Sequence, residues 1–206
     1  MSLNNLSARL CDLSHHEEAL VAIKEAEQLY RQLAKDRPAA FASNLATSLD
    51  NLSTRLSELG HREEALVAIK EAEQIYRKLA KERPAAFMPD LARCLYNLSL
   101  LLSEIGRSEE ALAAVEEAEK LYRRLAKDRP AALTPYLAGS LDNLSIRLSE
   151  LGRHEEALVA IEEAEQLYRQ LAKDRPTVFI QVDKEKETGT QIGEKREQRD
   201  AEAVTN

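Results

Sequence analysis

Leucines stand at positions 45, 49, 52, 56 and 59, spaced 4, 3, 4, 3, with mostly polar residues between them. That rhythm lays one apolar stripe along one side of a helix. A second stripe follows at Ala65, Ile69, Ala72, Tyr76 and Leu79, in the same spacing. Between the stripes stands Gly60, the residue best suited to the left-handed backbone that closes a helix. The pattern predicts two helices, A and B, joined by a turn of about two or three residues and therefore antiparallel. Glu63 and Glu64 in the first turn of B, and Lys81 and Arg83 near its last, both suit the helix dipole. Pro84 is expected to stop B, because the residue before proline avoids helical angles. The "PAAF" that follows then reads as a link. Helix A is expected to open at Thr134-Pro135, a capping hydroxyl followed by proline at the first helical position, and at Met88-Pro89 in the same way without the hydroxyl. On that reading A is about 16 residues, roughly 24 Å long, and B slightly longer.

The pattern recurs with a period of 46 residues and no drift in register. Asn-Leu-Ser stands at Asn5, Asn51, Asn97 and Asn143, and Glu-Glu-Ala-Leu begins at Glu17, Glu63, Glu109 and Glu155. Tyrosine returns at Tyr30, Tyr76, Tyr122 and Tyr168, and Arg-Pro closes the units at Pro38, Pro84, Pro130 and Pro176. Ser14 takes the place of Gly60 in the first unit. A fixed period of this size is the signature of a solenoid. One hairpin cannot bury its stripes alone, so stability comes largely from contacts between repeats. The predicted organisation is a four-repeat array over 1–179, in units of about 1–41, 42–87, 88–133 and 134–179. Residues 180–206, charged and poor in apolar residues, read as a disordered tail.

The unit resembles the tetratricopeptide repeat. The residues that carry the resemblance are Leu49, Leu52, Gly60, Ala65, Ile69 and Ala72. The longer period, with Asn-Leu early in helix A, is similar to the extended units of kinesin light chains and of sensor arrays in NTPase-linked receptors. The resemblance implies an all-α, right-handed superhelical solenoid of four antiparallel hairpins, with the A helices lining its inner wall. It also implies a protein-interaction scaffold that holds a peptide segment or partner protein in that groove. The alternative is a sensor or regulatory fragment of a larger NTPase-linked receptor, acting by intramolecular packing.

By the same resemblance the groove-facing candidates are Asn5, Asn51, Asn97, Asn143, Asp50, Thr54, Arg93, Tyr96, Leu100, Asp142 and Ile146. An Asn amide both donates and accepts, so a ladder of them can grip a peptide backbone without reading its side chains. The other reading is that each Asn ties neighbouring A helices together. Tyr96, Leu100 and Ile146 would form apolar spots in an otherwise polar groove. Asn51, Arg93 and Asn97 are a fragment of the family's carboxylate clamp, but Asp50 and Asp142 stand where it needs cations. The acidic lining therefore points to a basic or neutral peptide.

Composition narrows the classes further. Apolar residues make up 44% of the chain and aromatics 4%, with no tryptophan, so the core is built from Leu, Ala and Ile. A net charge of −7 argues against nucleic acid, whose backbone needs clustered cations, and against anionic membrane surfaces. No signal peptide or spanning stretch is visible, which makes a cytoplasmic location the simplest expectation. Cys11 and Cys94 each replace a serine of the repeat, so both are expected as reduced, free thiols. His16-Glu17 and His154-Glu155 begin like a zinc-protease helix, but the second histidine is missing. The Asn-Leu-Ser sequons lie mid-helix. No catalytic triad, phosphate loop or metal spacing stands out, so neither an enzyme, a cofactor nor a metal is expected. Self-association through uncapped ends of the array is the remaining partner expectation.

Overall fold

The computed structural model describes residues 3–174. Eight helices follow one another: α1 (Leu3–Asp12), α2 (His16–Asp36), α3 (Pro38–Glu58), α4 (Arg62–Glu82), α5 (Pro84–Glu104), α6 (Ser108–Asp128), α7 (Pro130–Glu150) and α8 (His154–Asp174). Odd-numbered helices are the A helices and even-numbered ones the B helices. The expected tail, 180–206, lies outside the described residues. Contacts divide the chain into two units, Met1–Ala164 and Glu165–Asn206. In the second unit the last turns of α8 carry an Arg169–Glu165 pair at 2.8 Å.

Within the first unit each helix from α1 to α6 packs against the next, and α3 also touches α5. This is the consecutive packing of a helical solenoid. The core consists of the predicted stripes: Leu45, Leu49, Leu52 and Leu56 from α3, with Ala65, Ile69, Ala72, Tyr76 and Leu79 from α4. Ala65, Ala72, Ala111 and Ala118 are all fully buried, which lets helix backbones approach closely. Tyr76 and Tyr122 are wedged among the helices at 1% and 3% exposure.

The A-to-B turns are as expected. Gly60 lies at φ 81°, and its N–H donates to Ser57 O at 2.9 Å while His61 N–H donates to Leu56 O at 2.8 Å. Those two bonds satisfy carbonyls that the helix end would otherwise leave open. Ser14 adopts the same conformation, at φ 62°.

The helix starts differ from expectation. Helices α3, α5 and α7 begin at Pro38, Pro84 and Pro130 and run 21 residues each, the same length as the B helices. They open four residues before the expected unit boundaries at 42, 88 and 134. A single extended residue, Arg37, Arg83 or Arg129, separates each B helix from the following A helix. Proline at the first helical position lacks only an N–H that would have no helical partner anyway, so one residue both ends B and starts A. The "PAAF" and "PAAL" segments are helix, and Pro89 and Pro135 lie inside it. Arg83 folds its guanidinium over the Phe87 ring at 4.8 Å, which fixes that junction.

Beyond the apolar stripes, an ion-pair ladder joins consecutive B helices. Arg31 forks onto Glu71 at 2.6 and 2.7 Å, Arg77 onto Glu117 at 2.6 and 2.5 Å, and Arg123 onto Glu163 at 2.6 and 2.8 Å. Each arginine also pairs within its own helix, to Glu27, Glu73 and Glu119. The carboxylates hold the three guanidinium protons more tightly than usual.

Candidate functional site

The predicted site residues fall at three repeating registers of the A helices. Asn51, Asn97 and Asn143 occupy one. Thr54, Leu100 and Ile146 occupy the next, and Asp50, Tyr96 and Asp142 the third.

Asp50 is only 1% exposed. Arg93 Nη1 donates to its Oδ2, and Asn97 Nδ2 donates to its Oδ1 at 3.0 Å. Arg93 Nη2 also lies 3.7 Å from Asp90 Oδ1. Burial works against charge on Arg93, but Asp50 beside it prevails and the guanidinium keeps its proton more firmly than usual. Nearby, Thr47 Oγ1 and the Tyr76 hydroxyl share a hydrogen bond of 2.9 Å. Burial pushes the Tyr76 phenol up to about 12, the Thr47 bond opposing it in part.

At the next boundary Asn143 is 4% exposed and donates Nδ2 to Ser99 Oγ at 2.7 Å, while Ser99 donates to Tyr96 O at 2.7 Å. Asn97 and Asn143 therefore tie one A helix to the one before it. Asp50 and Asn143 are buried between hairpins and are not offered to a ligand. Sequence reasoning also missed Arg147, which is 8% exposed and lies one turn beyond Asn143 on α7. Its Nε and Asn143 Oδ1 are buried with no hydrogen-bond partner among the described residues.

What remains open is a narrower surface. Leu100 and Ile146 are 38% and 45% exposed, although they are large apolar residues on the helices that form the core. Asn51 is half-buried and makes no side-chain hydrogen bond among the described residues, and Tyr96 and Asp142 are half-buried beside it in the repeat. Asn5 is exposed. Thr54 points its hydroxyl back to Asp50 O at 3.2 Å, leaving its methyl free. Between α3 and α5 a cleft of about 190 Å³ brings together Thr54, Asn97 and Leu100, with Ser57, Glu58 and Glu104 at its polar end. Ser57 donates to Glu104 Oε2 at 2.7 Å. The acidic character of this lining thus comes from Glu58 and Glu104 rather than from Asp50.

Elsewhere, Cys94 is fully buried in the serine register shared with Ser48 and Ser140, and both cysteines are free thiols. At the junction of the first two hairpins Cys11, His16 and Glu58 come together, a group that sequence spacing did not suggest because Glu58 lies a whole repeat away. The signal was in the register: Cys11 and His16 stand where the second repeat has Ser57 and Arg62.

The fold and these inter-hairpin ties define a helical-hairpin repeat protein. Family models described as tetratricopeptide repeat match residues 45–84, 92–124 and 137–175, more than half of the chain. The chain belongs to the tetratricopeptide repeat family, and its repeats make it a protein-interaction scaffold. Residues 1–51 also match the model described as anaphase-promoting complex subunit 5. No curated protein matches the sequence. Among solved structures, it is similar to BtubC (BKLC) from P. vanneervenii, with TM-score 0.68 and 17% identity over 82% of this chain and 63% of that one. It is also similar to aspartyl phosphate phosphatase F from Bacillus subtilis, with TM-score 0.64 and 14% identity over 82% of this chain and 39% of that one. The chain thus spans less than two thirds of either structure, and the likeness is one of fold. No helix among the described residues is long and apolar enough to cross a membrane.

Proposed function

We propose that this chain is a non-enzymatic, cytoplasmic binding module that captures an extended basic or neutral peptide segment along the exposed side of α3, α5 and α7. The observation that carries the reading is the exposure of Leu100 and Ile146 at one register, beside the acidic cleft between α3 and α5. The cleft supplies an apolar floor at Leu100 and carboxylates at Glu58 and Glu104, which suits a peptide pairing a hydrophobic side chain with Lys or Arg. Asn51, Tyr96 and Asp142 continue the surface, and Asn5 and Ile146 extend it to either side. Arg93 acts from behind, by fixing α5 against α3, and Asn97 shares that tie while lining the cleft. Net hydrogen bonds of about 0.5–1.5 kcal/mol each, added to one or two apolar pockets, reach about 8 kcal/mol, a micromolar affinity.

The test is a displayed peptide library screened on the purified chain, followed by Leu100→Gln, which removes the apolar floor without adding charge, combined with Asn51→Ala. Peptides enriched in basic and aliphatic residues, with affinity lost at least about tenfold in the double variant at unchanged helicity, are expected. Peptides that bind the variant as well as the parent sink the reading.

Self-association is a second reading, favoured by one observation. Leu158 is 57% exposed, whereas its counterparts Leu20, Leu66 and Leu112 are 7–8% exposed beneath the following repeat. A second copy would cover the open face around Leu158. Sedimentation should show concentration-dependent association that Leu158→Lys removes. A strict monomer at high concentration excludes it.

A further inference from the structure

We propose that Cys11, His16 and Glu58 form a binding site for a divalent transition-metal ion of the zinc class. Cys11 Sγ lies 3.6 Å from His16 Nδ1 and 3.6 Å from Glu58 Oε2, and His16 Nδ1 lies 3.9 Å from Glu58 Oε2. In a tetrahedral site with metal–sulfur bonds of about 2.3 Å and metal–nitrogen or –oxygen bonds of about 2.0–2.1 Å, donor atoms are roughly 3.3–3.6 Å apart. The two sulfur pairs therefore already stand at bridging distance, and the His16–Glu58 pair, at 3.9 Å, needs to close by roughly half an ångström. The donor chemistry is equally specific. Thiolate, imidazole and carboxylate together suit Zn²⁺ or Co²⁺ and not Mg²⁺ or Ca²⁺.

The repeat provides an internal control. The same three positions hold Ser57, Arg62 and Glu104 one repeat on, and Ser103, Ser108 and Glu150 after that. Only the first boundary replaces both the serine and its neighbour with metal-ligating residues while keeping the acid. The donors are part-exposed, His16 at 46% and Glu58 at 37%, so an ion has access and water can complete its coordination.

Arg55 now serves as the cation of this cluster, ion-paired with Glu58 Oε2 at 2.9 Å and donating to Cys11 Sγ. Metal binding displaces that guanidinium toward solvent. It releases the Cys11 thiol proton to water and forms one bond each to sulfur, nitrogen and oxygen, with no change of oxidation state. A neutral side chain is tolerated in place of Arg55, because its counterpart on α5 is Leu101, 3% exposed. Bound metal would staple α1 and α2 to α3. The inference does not depend on the peptide reading above, although the two share Glu58, so bound metal would leave Glu104 as the free carboxylate of the α3–α5 cleft.

The experiment is Co²⁺ titration of the full chain with a reducing agent, read by the sulfur-to-metal charge-transfer and visible d–d absorption of tetrahedral cobalt, followed by competition with Zn²⁺. One ion per chain is expected, reversed by Zn²⁺. Cys11→Ser, which installs the residue of the other repeats, should abolish the charge-transfer band and weaken binding at least about tenfold, while helicity stays unchanged. Arg55→Leu should tighten binding, and Cys94→Ser should leave it unaltered. Absence of the band in both the parent and Arg55→Leu overturns the proposal, as does a band that survives Cys11→Ser.

Discussion

Arg93 on α5 reaches back across a hairpin boundary to pair with Asp50 on α3, a carboxylate only 1% exposed. Asn97 Nδ2 occupies the other carboxylate oxygen at 3.0 Å. Removing Asp50 leaves a half-buried guanidinium and an amide facing each other without an acceptor. Asp50→Ala is expected to destabilise the array by about 3 kcal/mol, the lower end of the range for breaking a buried pair, because Arg93 retains some access to water. The double variant Asp50→Ala/Arg93→Ala should lose much less than the sum of its single variants, as measured by urea unfolding. Simple additivity would mean that the two residues do not act as a pair.

This pairing marks where the sequence stopped being legible. The leucine and alanine stripes on α3 and α4 follow from spacing alone, because burial there needs only apolar residues on one side of each helix. The registers of Leu100 and Ile146 were readable for the same reason, as apolar residues off the stripe. Asp50, Asn97 and Asn143 could not be placed between groove and interface. A polar side chain on that edge of the A helix reaches either way, and the choice depends on which residue stands about a repeat away. The B-helix ladder was visible as recurrent Arg and Glu, but pairing Arg77 with Glu117 needs the stacking distance, which periodicity does not supply. From the sequence Pro84 reads as a stop. Its second role as a first helical residue depends on the chain turning within Arg83 alone.

The ladder itself should matter little energetically. Arg77 and Glu117 each have side chains 40% exposed, so the fork is screened by water and salt. Arg77→Met is expected to cost at most about 1 kcal/mol at low salt, shrinking toward zero at molar salt. Arg77→Lys should behave nearly the same, since lysine cannot form the fork. A loss above about 2 kcal/mol that persists in high salt would assign the side chain a packing role instead.

Ser14 is the one non-glycine residue with positive φ among the described residues, at 62°, where the other three turns use glycine. A side chain in that conformation costs roughly 1–2 kcal/mol, partly offset by the smaller entropy it has to lose compared with glycine. Ser14→Gly should therefore stabilise the chain by several tenths of a kcal/mol up to about 1. Gly106→Ala should do the opposite by a similar amount. A Cβ there meets nothing within 4 Å, so the effect is conformational rather than steric. Thermal melts of the two variants should move in opposite directions. If both fall, the serine side chain holds a contact that the turn needs.

Burial of Tyr76 predicts a defined alkaline weakness. Its phenol is raised to about 12 in the fold by burial, against about 10 in an unfolded chain. Below pH 10 both states keep the proton and the phenol does not make stability depend on pH. Between pH 10 and about 12 the unfolded chain releases its proton first, so it binds fewer protons than the native state and stability falls as pH rises. The full loss is on the order of 2–3 kcal/mol. Burial raises the Cys94 thiol in the same direction, with its loss starting nearer pH 9, so the measurement belongs in a Cys94→Ser background. Serine is already fully buried in that register at Ser48 and Ser140, which makes the background safe. Adding Tyr76→Phe should cost about 1 kcal/mol at neutral pH, through the lost Thr47 bond, and should reduce the decline above pH 10. Tyr122, also raised by burial, will keep the decline from vanishing. Equal slopes with and without the Tyr76 hydroxyl would mean that the phenol reaches water in the folded state, and the close packing of α4 against its neighbours would have to be reconsidered.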